Sequence, residues 1–211
     1  MQSQTFTFDE ISLERNNQFL FQKISCSLTN GDILQISGAN GSGKSTLLRI
    51  LAGLLEPESG SILWQKKCIY QNTKTYKREL HYLGHQNGIK TSLTVRENLK
   101  HYCALNYAAY KQSDIIILAS KLKLKHALDT QASLLSAGQL RRLSLAKLLL
   151  NPHRLWLLDE PATALDAEGQ TLLMDLILQH QSRGGITILA THQPLLLSVK
   201  MKNIHLGNVY A

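Results

Sequence analysis

The chain has 211 residues, of which 44% are hydrophobic, an ordinary proportion for a globular protein with a buried core. The formal net charge is +8, but the basic residues are dispersed without aromatic interleaving. We therefore expect solvated faces and no nucleic-acid partner. No apolar run approaches the about 20 residues of a membrane span, and the three cysteines form no C-x-x-C pair. These features argue against an integral membrane protein, a disulfide framework and covalent haem attachment.

Strands are predicted in the two outer parts of the chain, where apolar and β-branched runs are bounded by glycine, proline and polar residues. The predicted extended segments are residues 5–37, 62–64, 82–84, 154–158 and 186–190, the last being the final core strand. We expect Ser59-Gly60-Ser61 to form a turn, and the polar, basic residues 65–79 to form a surface hairpin or loop. The continuously apolar run at 154–158 is typical of a strand buried in a parallel sheet.

The middle of the chain, residues 94–150, has the spacing of helices. Two capping boxes start helices, one formed by Thr94 with Glu97 and the other by Ser136 with Gln139. The predicted helices run from the first box through Tyr102, from the residue after Ser113 to Leu122, and from the second box to Leu149, with a further helix at 167–181. This pattern predicts a helical lobe inserted into an α/β core.

The segment Gly38-Ala39-Asn40-Gly41-Ser42-Gly43-Lys44-Ser45-Thr46 matches the phosphate-loop pattern G-x-x-x-x-G-K-[ST] without substitution. A predicted strand precedes it and a predicted helix follows, so backbone N–H groups and the helix N-terminus can face phosphates. Lys44 can then reach the β- and γ-phosphates, and the Ser45 hydroxyl can ligate Mg²⁺. The alternative is a chance glycine-rich turn, which the strand–loop–helix context disfavours. We therefore predict a nucleotide site.

Asp159 and Glu160 follow the buried apolar strand, at its carboxyl end. Asp159 can hold Mg²⁺ through water, and Glu160 can orient and deprotonate an attacking water. Alone, such a pair would be typical of a solvated strand end. The phosphate loop elsewhere in the chain favours the catalytic interpretation.

Together these motifs resemble the ATP-binding cassette (ABC) ATPase family over almost the whole chain. Leu135-Ser136-Ala137-Gly138-Gln139 is a complete LSxGQ signature, and Gln86, Asp166 and His192 match the family's Q-loop, D-loop and switch positions. The resemblance implies an α/β P-loop NTPase fold. Its parts would be a RecA-like, mostly parallel sheet, an antiparallel β portion and an inserted helical signature lobe. One domain would span 1–211, with the nucleotide-binding core at about 1–86 and 153–211 and the lobe at about 87–152.

The resemblance also assigns the site residues, with ATP and Mg²⁺ as the ligands. ATP would be bound by the residues of the phosphate loop, Gly38, Ala39, Asn40, Gly41, Ser42, Gly43, Lys44, Ser45 and Thr46. Catalysis would use Glu160, His192 and Gln86, and Mg²⁺ would be held by Ser45, Gln86 and Asp159. The ATP of another subunit would contact the signature residues Ser136, Ala137, Gly138 and Gln139, and Asp166 would belong to the D-loop. This implies a head-to-tail homodimer enclosing two ATP molecules. Where most members stack an aromatic residue on adenine, Arg15 stands at the nearest position, so the adenine contact is left open.

The segment from Tyr82 to Leu99 resembles, more narrowly, the haem-exporter ATP-binding subunits of cytochrome c maturation. This implies a peripheral subunit on the cytoplasmic face of a bacterial inner membrane. Its partners would be integral-membrane permease subunits, which we expect to carry the haem, so no direct haem binding is expected here. Residues 87–91 are predicted to contact these subunits. Two alternatives stay open, an exporter of another substrate and a soluble, non-transport ABC ATPase.

Overall fold

The computed structural model describes residues 4–15, 18–105, 111–150, 153–192 and 199–207. The chain forms two compact units. The first comprises Met1–His85, His153–Pro161 and Ile177–Ala211, and the second comprises Gln86–Pro152 and Ala162–Leu176. The second unit thus contains residues 162–176 in addition to the predicted lobe, and the assignment of all residues to one ABC ATPase domain stays a prediction. No helix in the described ranges has both the length and the apolar character needed to cross a bilayer.

The strands of the described residues all belong to the first unit. They are β1 (Thr5–Arg15), β2 (Gln18–Thr29), β3 (Ile33–Gly38), β4 (Ser59–Trp64), β5 (Lys67–Cys68), β6 (Leu80–Leu83), β7 (Leu155–Asp159), β8 (Ile186–Ala190) and β9 (Lys202–Leu206). The helices are α1 (Lys44–Leu51), α2 (Thr73–Glu79), α3 (Val95–Leu105), α4 (Gln112–Lys121), α5 (Ala137–Ser144), α6 (Ala146–Leu150) and α7 (Ala167–Ser182).

A five-stranded parallel sheet has the order β6-β7-β8-β3-β9. Every residue of β7 and β8 is buried, which explains why these strands are continuous apolar runs rather than alternating ones. Parallel strands place their carboxyl ends at one edge, where open α/β sheets bind their ligands. Strand β3 therefore delivers the phosphate loop, and β7 delivers Asp159, to the same edge.

An antiparallel sheet of order β2-β1-β4-β5 completes the first unit. One hydrophobic cluster combines buried residues of both sheets with α1 and α2. In this cluster the ring of Tyr76 from α2 stacks on Phe6 of β1 at a centroid distance of 6.2 Å, and Trp64 of β4 packs beside both. The predicted α/β class, with a mostly parallel sheet and an antiparallel portion, is confirmed.

Both predicted capping boxes form in the second unit. The Thr94 N–H donates to Glu97 Oε2 over 2.8 Å, and the Glu97 N–H donates to Thr94 Oγ1 over 3.2 Å. Each partner thus satisfies a backbone donor that the first turn of α3 leaves free. The Ser136–Gln139 box starts α5 in the same way. Helix α7 starts at the predicted residue and belongs to the second unit as far as Leu176.

Two predictions for residues 59–79 were wrong. Ser59–Ser61 do not form a turn, because they pair with β1 at the beginning of β4. Residues 65–68 do form the hairpin that leads into β5, with Gln65 and Lys66 at positive φ. Residues 73–79, however, form α2 rather than a loop. Tyr76 anchors this helix, since its ring is 2% exposed and its hydroxyl donates to the Leu51 carbonyl.

The five-stranded parallel sheet contains one strand that the sequence pattern did not predict. Strand β9 pairs in parallel with β3, from Leu34 opposite Lys202 to Gly38 opposite Leu206. Strand β8 is therefore not the last core strand. The prediction failed because β9 lies at an edge, where only Leu206 is fully buried and the other positions are polar or partly exposed.

The long helix predicted to follow the signature is divided into α5 and α6 at Leu145. The Ser144 hydroxyl donates to the Arg141 carbonyl oxygen over 2.7 Å. The Leu145 N–H is shared between the carbonyl oxygens of Arg141 and Arg142. A serine that bonds back to the preceding turn competes with the helical ladder, and the shared bond marks a local tightening. The helix breaks where this competition occurs.

Candidate functional site

The phosphate loop lies between β3 and α1 in the first unit. The Lys44 ammonium is buried and donates to the carbonyl oxygens of Gly38 and Ala39, over 2.8 and 2.9 Å. Gly43, the last loop residue, has a φ of +93 and receives the Leu47 N–H on its carbonyl oxygen. The lysine is therefore folded back over its own loop, with its donors directed at oxygen atoms.

Ser45 and Asp159 meet beside this loop, although they are 114 residues apart in the chain. The Ser45 hydroxyl donates to Asp159 Oδ1 over 2.8 Å. Asp159 is only 1% exposed, and burial raises the pKa of its carboxyl, while the Ser45 hydrogen bond opposes this effect. A hydroxyl and a carboxylate are hard oxygen donors of the kind that Mg²⁺ prefers. The donor set therefore fits that cation.

Glu160 follows Asp159 with a backbone φ of +46, in the left-handed region. Its N–H donates to the Ala190 carbonyl oxygen over 2.9 Å. Its Oε2 lies 2.9 Å from Nδ1 of His192, and because an ionised carboxylate can only accept, that nitrogen is the donor. The first unit thus brings together Lys44, Ser45 and Asp159 on one hand and Glu160 and His192 on the other.

The signature residues begin α5 in the second unit. The Gln139 N–H donates to Ser136 Oγ over 3.2 Å, and the Ser136 N–H donates to Gln139 Oε1 over 2.9 Å. Ser136 and Ala137 are nevertheless exposed. A Cβ atom at Gly138 would lie 2.9 Å from the Ala164 carbonyl oxygen, so only glycine permits this approach. The signature is therefore a helix N-terminus that is open to solvent and packs against the segment preceding Asp166.

Asp166 is held within the second unit by Arg142 of α5. Arg142 Nη2 lies 2.6 and 2.7 Å from the two carboxylate oxygens and 3.1 Å from Glu168 Oε2. Asp166 Oδ1 also accepts the Gly169 N–H over 2.9 Å, as an N-cap of α7 does. The Arg142 hydrogen bond, followed by the Gly169 one, lowers the pKa of the Asp166 carboxyl. The sequence motifs assign no role to Arg142; the signal for one is a charged residue on the buried face of an amphipathic helix.

The remaining predicted residues are placed as follows. Gln86 is exposed and opens the second unit, directly after the first unit's segment that carries β6. Arg15 ends β1, opposite Gln18, and is exposed. Gln86, Ser136–Gln139 and Asp166 belong to the second unit, and the phosphate loop, Asp159, Glu160 and His192 to the first. Their combination in one site, and a contact of Arg15 with adenine, stay predictions.

Comparison with known proteins gives a consistent result. Residues 21–163 match the family model described as ABC transporter. A relative from Vibrio cholerae, named cytochrome c biogenesis ATP-binding export protein CcmA, is 44% identical over 195 residues, or 92% of this chain and 94% of that protein. A protein of the same name from Aliivibrio fischeri is 41% identical over 194 residues, or 92% of this chain and 95% of that protein.

A solved structure, a putative ABC transporter ATP-binding protein from Pyrococcus furiosus, matches with a TM-score of 0.81. It is 23% identical, and the match covers 96% of this chain and 97% of that one, so it shows the fold. The predicted ABC ATPase fold is therefore confirmed. The chain belongs to the ABC transporter family, as an ATP-hydrolysing protein of the group that includes the cytochrome c biogenesis ATP-binding export proteins.

Proposed function

We propose that this protein is the ATPase subunit of a membrane complex that exports or handles haem for cytochrome c biogenesis. The ATPase activity is supported mainly by the hydrogen bond of 2.8 Å between Ser45 and Asp159, which lies beside the phosphate loop and its buried Lys44. The cytochrome c part is supported by relatives 41 to 44% identical over 92% of the chain, which bear that name.

In this proposal Lys44 exchanges the two loop carbonyls for β- and γ-phosphate oxygens when ATP binds. Ser45 and Asp159 would hold Mg²⁺, which would neutralise charge on the phosphates, and Gln86 stays a predicted further ligand. Glu160 accepts the proton of the attacking water, and His192 holds that carboxylate in place through the bond of 2.9 Å. This hydrogen bond thereby orients the pair.

The exposed signature supports a head-to-tail homodimer. The N-terminus of α5 is a ready anion site, and Ser136 and Ala137 at this end are accessible to solvent. In the dimer these residues would face the γ-phosphate held by the partner copy's phosphate loop. ATP binding would then close the dimer, and hydrolysis would reopen it.

The membrane complex is expected to meet this subunit through residues 87–91, on the cytoplasmic face of the inner membrane. Ile89 is the one fully apolar side chain of that segment, and it is half-buried. The segment would accept a short helix of a permease subunit, with Lys90 near the helix C-terminus or an acidic side chain. Haem would be carried by the partner subunits.

The test is the substitution Ile89→Asp, which places a charge at the expected apolar contact. We expect the variant to lose co-purification with membranes and to lower the holocytochrome c yield in cells, while the isolated protein still binds ATP. Ile117→Asp is the matched control, because Ile117 is a 55% exposed isoleucine on α4 outside the segment. Membrane association and cytochrome c yield at wild-type levels in Ile89→Asp would refute the docking role of residues 87–91.

The same experiment separates the alternatives. An exporter of another substrate would lose membrane association in Ile89→Asp, but a strain lacking the protein altogether would still mature cytochrome c. A soluble, non-transport ABC ATPase would not co-purify with membranes even as the wild type. The proposed function requires both membrane association and a cytochrome c defect in the deletion strain.

A further inference from the structure

The segment 87–90, directly after Gln86, is held by side chains of several helices of the second unit. Asn98 of α3 is fully buried, and its amide pairs with both backbone groups of Lys90, with each distance at 3.0 Å. The Tyr102 hydroxyl, also from α3, donates to the Gly88 carbonyl oxygen over 3.1 Å. This side of the segment is thus fixed by α3.

The other side is held by α5 and α6, the two helices that follow the signature. Arg141 of α5 is 3% exposed, and its Nη1 donates to the Asn87 side-chain oxygen over 3.1 Å. Lys147 of α6 donates to the carbonyl oxygens of Asn87 and Gly88, over 3.0 and 3.3 Å. Its ammonium lies 4.9 Å from the centre of the Tyr102 ring. Asn87 is therefore bound through its side chain and its backbone together.

Gly88 shows how closely this arrangement is fitted. Its φ of +59 lies in the left-handed region, and a Cβ atom there would lie 2.7 Å from Lys147 Nζ. Burial, and then the charge of Arg141, lowers the pKa of Lys147. The positive charges of Arg141 and Lys147 repel each other, and the oxygen atoms of Asn87 and Gly88 that accept from them compensate for this repulsion.

We propose that Arg141 is a positioning residue of the ATPase, which acts through Asn87. The hydrogen bond between them joins segment 87–91 to the signature helix, since Arg141 lies five positions after Ser136 on α5. A displacement of the segment by a membrane partner is then transmitted to Ser136–Gln139. This inference rests on the proposed function, because it takes residues 87–91 as the partner contact.

The experiment measures ATP turnover of the reconstituted membrane complex for Asn87→Ala, Arg141→Met and the double variant. Asn87→Ala removes the acceptor of a half-buried residue, and Arg141→Met removes the donor while keeping a long side chain. We expect Asn87→Ala to lower kcat roughly fivefold or more, as typical coupling energies imply, with little change in KM. In the Arg141→Met background the same substitution should have no further effect.

Two further variants exclude a merely structural effect. Asn87→Asp keeps an oxygen that accepts from Arg141, so kcat should return to within about twofold of wild type. Lys121→Met removes an exposed lysine of α4 and should leave kcat unchanged. Wild-type turnover in Asn87→Ala would overturn the proposal, and so would an equal loss in both Arg141 backgrounds. If Arg141→Met does not fold, the difference in kcat between Asn87→Ala and Asn87→Asp still tests whether Arg141 acts through the Asn87 side-chain oxygen.

The outcome is distinguishable from a failure of the proposed function. The Asn87→Ala variant should remain in the membrane complex, because the side-chain oxygen that it lacks is directed at Arg141 in the wild type and not at a partner. If Ile89→Asp detaches the protein while Asn87→Ala turns over ATP like the wild type, the docking role stands and the positioning role of Arg141 falls. If Ile89→Asp stays attached, the partner contact itself is wrong.

Discussion

At the residue scale, Glu160 occupies a backbone conformation that a non-glycine residue seldom adopts. A φ of +46 costs on the order of 1 kcal/mol and persists only where the surroundings hold it. Here the N–H bond to Ala190 and the contact with His192 provide that restraint. The carboxylate is consequently oriented by the fold itself, as a preorganised general base requires.

Glu160→Gln tests the proposed base. The amide keeps the shape and can still accept from His192, but it cannot take a proton, so we expect ATP turnover to fall by about 100-fold or more. Nucleotide affinity measured by calorimetry should change little. Glu56→Gln, at an exposed glutamate, serves as the control and should leave turnover unchanged. Turnover within severalfold of wild type would assign the base to another residue.

At the scale of elements, one buried asparagine organises the entry to α3. Asn98 accepts the Lys90 N–H, and its amide nitrogen lies within 3.3 Å of the carbonyl oxygens of Lys90, Leu93 and Thr94. The three carbonyl oxygens also accept the backbone N–H groups of Leu93, Ala132 and Asn98, whereas the Lys90 N–H pairs with the Asn98 side-chain oxygen. The Asn98 side chain thus joins four backbone groups of the segment that leads into the helix.

Asn98→Ala should lower the free energy of unfolding by roughly 2–3 kcal/mol, because it removes the hydrogen bonds of a fully buried amide and leaves the Lys90 N–H without its partner. Urea denaturation followed by circular dichroism measures this change. Asn203→Ala, at an exposed asparagine of β9, is the matched control and should stay within about 0.5 kcal/mol of wild type. Equal stabilities for the two variants would show that the segment does not depend on Asn98.

At the scale of the whole molecule, a buried histidine links three parts of the first unit. The His180 ring stacks on Trp156 of β7 with centroids 3.8 Å apart. Its Nδ1 lies 2.9 Å from the Thr187 hydroxyl of β8, and its Nε2 lies 2.9 Å from the His153 carbonyl oxygen. A carbonyl can only accept, so Nε2 carries the proton and Nδ1 accepts from Thr187. Burial lowers the pKa of His180 from 6.5 to about 4.

Stability should therefore decrease in mild acid. Between pH 6.5 and about 4 the unfolded chain binds a proton at His180 that the folded chain excludes. The stabilisation is complete above about pH 6.5 and is lost as the pH falls towards 4, an effect of roughly 3 kcal/mol. Urea denaturation at pH 7.5 and 4.5 measures it. His180→Gln should be less stable at pH 7.5 but should lose less on acidification; an unchanged pH dependence would contradict this assignment.

Much of the fold follows from short-range patterns in the sequence. The phosphate loop, the buried strands β7 and β8, and the starts of α3, α5 and α7 were predicted, because a motif, a continuous apolar run or a capping residue is legible within a few positions. Segments with weak local signals were not. Helix α2 depends on the burial of Tyr76, and β9 on its pairing with β3.

The same division applies to the candidate site. The chemical types of Lys44, Ser45, Asp159, Glu160 and His192 could be identified from spacing and from resemblance to the family. Their contacts could not, since Ser45 and Asp159 are 114 positions apart and meet only because β3 and β7 end at one edge of the sheet. The bonds of Arg141 to Asn87 and of Arg142 to Asp166 likewise depend on how helices and loops pack, over separations of 54 and 24 residues. Side-chain identity is local information, whereas a hydrogen bond across such separations exists only once the chain has folded.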